Sequence, residues 1–180
     1  MISMFRGISL ALAVAVALSA CASTAPTIAP RSSGPTKPVP QLTTATTLAA
    51  VNAARQANGG HKPMAYSPAL EAACRAQLKL MVEKDQLSHD LGVKLRQRVT
   101  EAGYSGAVGE NLAGGQSTLE GAIEGWLNSP GHRATLLSDR FVEFGVAVAR
   151  VPAERKSRYG IYWCFIAGGP FEAWRTTVTL

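Results

Sequence analysis

The spacing of apolar positions changes along the chain, and each change predicts an element. Leu48, Val51, Ala54 and Arg55 recur at helical spacing and stop at Gly59-Gly60, which predicts a first helix. Ser67 then supplies a cap and Pro68 the first helical position, and Leu70, Cys74, Leu78 and Met81 repeat every three or four residues to about Lys84. That is a second helix with one buried stripe. Val93 to Ala102 predicts a short basic helix stopped by Gly103. Ser105 to Gly115 holds four glycines around Glu110, a composition that predicts irregular backbone. Ser117-Thr118-Leu119-Glu120 reads as a capping box, which gives Glu120 a structural role, before a helix with Leu119, Ile123, Trp126 and Leu127 on one face. That helix is expected to break at Pro130-Gly131, delivering His132 on a turn.

Strand signals close the chain. Phe144, Val146 and Val148 alternate within Phe141 to Arg150, Val151 to Ser157 is a polar turn, and Tyr159, Ile161, Trp163 and Phe165 share one face of Arg158 to Ala167. These predict a hairpin. Helices and strands that need mutual cover predict an α+β domain.

The N-terminal part follows other rules. Arg6 precedes an apolar core from Ile8 to Leu18, shorter than the roughly 20 residues of an ordinary membrane span, so residues 1–20 read as an export signal. Leu18-Ser19-Ala20-Cys21 matches the bacterial lipobox, which predicts cleavage before Cys21 and its acylation. More than one acyl chain would anchor the protein firmly to a membrane. Residues 21–44 then carry Pro26, Pro30, Pro35, Pro38 and Pro40 among Ser, Thr and Ala, the composition of an extended tether. The folded domain is expected over residues 45–170, with residues 171–180 as a C-terminal tail. The expected location is the bacterial cell envelope, on the periplasmic face of the outer membrane if the cell has two membranes.

At 180 residues the chain has room for one domain plus a tail. The formal charge of +6 contains no run of basic residues, and loss of Arg6 with the leader leaves about +5. This suits anionic lipid or wall polymer and argues against nucleic acid, whose partners usually cluster their basic residues. Two cysteines, Cys74 and Cys164, remain after Cys21. In an oxidising compartment an even pair predicts a disulfide, with two separate buried thiols as the alternative.

Three histidines exist, and His61, beside Lys62-Pro63, reads as solvated. The other two lie just past helices, His89 in Leu87-Ser88-His89-Asp90 and His132 in Trp126 to Leu137, and Glu110 and Asn111 sit between them in Gly109 to Ala113. Ser-His-Asp, then Gly-Glu-Asn-Leu-Ala, then a Trp followed by Ser-Pro-Gly-His-Arg, then a Phe leading into Gly-Val-Ala-Val, form an ordered series. Over roughly Leu48 to Gly169 it resembles the CAP superfamily, also called the SCP or pathogenesis-related-1 domain, in its bacterial form. The resemblance implies a three-layer α-β-α sandwich. It also implies a cleft tetrad of His89, Glu110, Ser129 and His132, where animal members carry a second Glu at the position of Ser129. Glu124 is the one residue expected to be able to replace that Glu.

Two His and one Glu suit a Zn²⁺ or another divalent metal with an open position, His89 and His132 binding it with Glu110. They suit equally a general base with an orienting carboxylate. No His-Glu-x-x-His spacing is present, and no residue is placed to complete a Ser-His-Asp triad with Ser129. The resemblance implies metal binding in some members and sterol, lipid or wall-component binding in others, with no common reaction. Three readings follow: a non-enzymatic, envelope-anchored binding module, a metal-assisted hydrolase of peptide or peptidoglycan, and a structural envelope protein. Loss of the second Glu favours the first.

Overall fold

The computed structural model describes residues 39–175, all within the compact unit Thr36–Leu180. The signal, the lipobox and most of the tether fall in the unit Met1–Pro35, outside the described residues. Among the described residues no helix is long and apolar enough to cross a membrane.

Among the described residues five helices and four strands follow in order: α1 (Thr44–Ala57), β1 (Ala65–Tyr66), α2 (Pro68–Lys84), α3 (Leu95–Glu101), β2 (Ala107–Gly114), α4 (Leu119–Leu127), α5 (Pro130–Leu137), β3 (Glu143–Arg150) and β4 (Ile161–Gly169), with a short 3-10 turn at Phe171–Trp174. The sheet runs β1-β3-β4-β2. β1 is parallel to β3, and β3 and β2 are both antiparallel to β4.

β4 is central and buried at all nine positions, and its two faces feed separate cores. Trp163, Phe165 and Ala167 pack with Val51 of α1, Trp126 of α4 and Leu136 of α5. Tyr162, Cys164 and Ile166 pack with Leu70, Leu78 and Met81 of α2 and Val99 of α3. Strand alternation thus sorts the apolar residues into two buried layers around one sheet, which makes the molecule an α-β-α sandwich. Cys74 of α2 and Cys164 of β4 meet as a disulfide in the second layer, with Cα atoms 5.3 Å apart.

The helix stripes and the hairpin fall where the periodicity puts them, but several details differ from the sequence reading. α1 begins at Thr44, before Leu48, because Thr43 and Thr46 cap it reciprocally. Pro68 opens α2, but the Ser67 side chain makes no cap bond. The glycine-rich segment is strand β2, paired along its length with β4. Its glycines serve close packing: a Cβ on Gly109 would lie 2.8 Å from the Thr135 methyl, and one on Gly114 would lie 2.9 Å from the Tyr159 ring.

The cap of α4 is Thr118, whose hydroxyl accepts from the Gly121 N–H at 3.1 Å, so Glu120 is an exposed first-turn residue and not a capping partner. Pro130 does not end a helix in a turn; it starts α5, as a proline in the first helical position does. β4 begins at Ile161, leaving Tyr159 outside the strand with its ring 5.6 Å from that of Tyr162. His61 is not simply solvated. Its Nδ1 lies 3.2 Å from Asp139, which also binds Arg55, a fully buried cation on the inner face of α1.

Candidate functional site

β2 is an edge strand, and the site is built around it. Successive residues of a strand point to opposite faces, so Glu110 faces the α3 layer and Asn111 faces α5. On one side Glu110 meets Arg98 of α3 and His89 of the loop after α2. On the other the Asn111 amide donates to the His132 carbonyl at 2.8 Å and fixes the first turn of α5 to the sheet. The two imidazoles therefore come from different layers, and their ring centroids lie 6.0 Å apart.

The local sequence explains these placements. α2 ends at Asp85, a left-handed residue at φ 49° whose carboxylate takes hydrogen bonds from Ser157 and Tyr162. Both bonds hold the Asp85 carboxyl below its ordinary range, the Ser157 bond most. The chain beyond is pinned when the buried Gln77 amide donates to the Ser88 carbonyl at 2.6 Å. His89 follows immediately. Pro130 sets the φ of the first turn of α5 and puts His132 on that turn.

Glu110 is the centre of the electrostatics. Its side chain is 2% exposed, and Oε1 lies 2.8 Å from His89 Nδ1 while Oε2 lies 2.8 Å from an Arg98 nitrogen. The Arg98 contact is an ion pair in distance, but it lies off the hydrogen-bond direction, so three guanidinium nitrogens remain buried without a hydrogen-bond partner. A carboxylate oxygen facing His89 Nδ1 accepts from an N–H there, and Nε2 makes no hydrogen bond among the described residues. The His89 side chain is 57% exposed. Burial lowers the His132 pKa, and the neighbouring His89 lowers it further, so His132 favours the neutral ring.

Of the four tetrad positions, His89, Glu110 and His132 come together. Ser129 is the half-buried residue preceding α5, and its hydroxyl makes no cap bond. Glu124 remains exposed on α4. Arg98 was not singled out from the sequence, although its spacing with Leu95, Val99 and Ala102 sets a charge into an apolar stripe. A stripe charge with no place in solvent is a legible sign of a buried partner.

An imidazole held by a carboxylate, with its second nitrogen free, can ligate a metal or accept a proton. One carboxylate oxygen is on His89 and the other is buried beside Arg98, away from solvent, which makes Glu110 an orienting group. Among the described residues no three His, Cys, Asp or Glu side chains form a set able to hold a metal ion.

The CAP profile, the cysteine-rich secretory protein family, matches residues 48–166 and takes in the whole site, and the chain belongs to that family. YkwD of Bacillus subtilis is 33% identical over 98 residues, 53% of this chain and 38% of that protein. An SCP-domain extracellular protein of Bacillus anthracis is 24% identical with a TM-score of 0.56, covering 66% of this chain and 37% of that one. An outer surface protein of Borrelia burgdorferi is 20% identical with a TM-score of 0.57, covering 70% and 91%. These structural likenesses support the shared fold. The chain spans well under half the length of the two Bacillus relatives.

Proposed function

We propose that this is an exported CAP-domain lipoprotein, anchored to the bacterial envelope through an acylated Cys21, whose His89–His132 cleft binds a ligand without transforming it. The carrying observation is that the Glu110 carboxylate is buried, with one oxygen on His89 and the other 2.8 Å from the Arg98 guanidinium without a hydrogen bond. With Ser129 where animal members have a second Glu, the cleft offers imidazole nitrogens and no carboxylate free for chemistry. The family's secretory description supports export, as do the extracellular protein of Bacillus anthracis and the outer surface protein of Borrelia burgdorferi among the structural relatives.

The ligand classes this cleft suits are a lipid or wall component and a divalent metal. Two imidazoles fall short of the three or four protein ligands of resident zinc, so the metal these residues fit is an exchangeable ion on His89 Nε2 and His132. Such an ion needs neutral imidazole, so its affinity should rise with pH, and the lowered pKa of His132 moves its share of proton competition below the ordinary histidine range.

The test is mass spectrometry of the protein extracted from its membrane, with zinc titration at about pH 5 and about pH 8. The expected result is a mature chain beginning at acylated Cys21, a co-purifying ligand lost in His89→Ala and His132→Ala, and tighter zinc at the higher pH. A precursor without acylation removes the anchor. Chelator-sensitive cleavage of peptidoglycan by the parent, lost in both variants, would replace the binding reading with the hydrolase.

A further inference from the structure

Exposed apolar side chains gather at the end of the sheet where β4 leaves it. The chain passes Pro170 into the 3-10 turn Phe171–Trp174. Side chains three apart eclipse in such a turn, so Phe171 and Trp174 share a face, and they are 50% and 43% exposed. Val142, also half exposed, bonds the Gly168 carbonyl through its N–H and lines a groove of about 340 Å³ together with Pro170. The turn is held in place, because the Trp174 ring lies 5.3 Å from that of the buried Phe141.

Two exposed cations frame this face. The Arg140 guanidinium lies 4.7 Å over the Trp174 ring, and that of Arg96 on α3 lies 5.6 Å over the Phe171 ring. Arg96 also donates to the Gly106 carbonyl at 2.9 Å. Among the described residues neither guanidinium forms an ion pair. The neighbouring acids have other partners: Glu143 accepts from the Tyr104 hydroxyl, and Asp139 binds Arg55, His61 and the Lys62 N–H. Glu172 is the one acid of the turn, and the exposed Arg175 follows it.

Three apolar side chains fall far short of the roughly 20 to 30 residues a side of a stable protein interface. Aromatic rings flanked by unpaired guanidiniums suit the headgroup layer of a bilayer, where a ring sits between apolar and wet regions and a cation meets anionic lipid. So small a surface acts only on something already held close. On the lipoprotein reading, residues 22–43 tie the domain to a bilayer by a chain that extends to roughly 65 Å at about 3 Å per residue. Docking is then intramolecular, at an effective concentration set by the tether.

We propose that Val142, Phe171 and Trp174 form a docking patch that rests on an anionic phospholipid surface, with the two rings entering the headgroup layer and Arg96 and Arg140 meeting lipid phosphates. This docking rests on the lipoprotein reading, which supplies the tether.

The experiment is tryptophan quenching of the acylated protein in vesicles of brominated phosphatidylcholine, with and without phosphatidylglycerol. Bromine quenches on contact, and Trp126 and Trp163 are buried, so the signal reads Trp174, and Trp174→Phe should remove it. Flotation with the vesicles reads the anchor separately. Quenching is expected with phosphatidylglycerol, and added salt should weaken it. The ratio of docked to undocked protein should fall roughly fivefold in Arg96→Gln and in Arg140→Gln, and stay unchanged in Lys79→Gln on α2. Protein that floats unquenched overturns the patch, and so does equal quenching without phosphatidylglycerol or in both arginine variants. Protein that does not float overturns the anchor instead; the same vesicles titrated into unacylated protein then decide the patch, which an absence of saturable quenching overturns. A concentration-dependent dimer in sedimentation velocity, abolished by Trp174→Ala, would assign the face to a second copy of this chain and also overturn the proposal.

Discussion

Arg98 and Glu110 carry the sharpest energetic statement about single residues. Their side chains are 1% and 2% exposed, so each charge is separated from water and depends on the other. Removing one partner from such a pair typically costs about 3 to 5 kcal/mol, whereas replacing both with apolar residues of similar size can be neutral. We expect Arg98→Met and Glu110→Gln each to destabilise by that amount in urea unfolding, and the double variant Arg98→Met/Glu110→Leu to cost less than either. Single variants within about 1 kcal/mol of the parent would mean that the carboxylate is not held as a desolvated ion. The histidines and the glutamate were visible in the sequence because their residue types announce chemistry. Arg98 was not, because a charge in a helix reads as solvated until its place in the apolar stripe is weighed.

Among the elements, legibility followed the strength of the periodic signal. α2 shows its stripe plainly because Leu70, Cys74, Leu78 and Met81 all face one core, and the β3–β4 hairpin shows because its residues alternate. β2 was hidden because glycine carries no side chain to reveal a period, although glycine is what lets neighbours approach. α5 was hidden because Pro130 reads as a helix end or a helix start with equal ease. Gly145 and Gly131 turn this contrast into a measurement. A Cβ on Gly145 would overlap the backbone of Leu70 and Glu71, where α2 crosses β3, while one on Gly131 meets nothing within 4 Å and neither glycine has a positive φ. Backbone offers no flexible end to move aside. Gly145→Ala should lower stability by about 1 to 3 kcal/mol or more, and Gly131→Ala should raise it by about 0.4 to 1 kcal/mol by restricting the unfolded chain. Thermal melts of the two variants against the parent test both signs, and a neutral Gly145→Ala would mean that α2 can lift from the sheet without loss.

At the scale of the whole molecule, two cores share one sheet, and a single covalent link joins the α2 layer to the central strand. Cys74 and Cys164 are 90 residues apart in sequence, so the bond closes a loop that takes in α3, β2, α4, α5 and β3, including every residue of the His89–His132 cleft. Closing a long loop restricts the unfolded chain and typically contributes about 2 to 4 kcal/mol. Because both sulfurs lie in a buried layer, the bond should resist reductant until the protein unfolds. We therefore expect no free thiol from this pair in freshly exported protein under denaturing, non-reducing conditions. The urea midpoint should shift down when the protein is unfolded and refolded with reductant, and by a similar amount in Cys74→Ala/Cys164→Ala. Two free thiols in the exported protein would overturn the bond and leave the two cores held to the sheet by packing alone; equal midpoints with and without reductant would show that the link adds nothing to a sandwich already closed by β4.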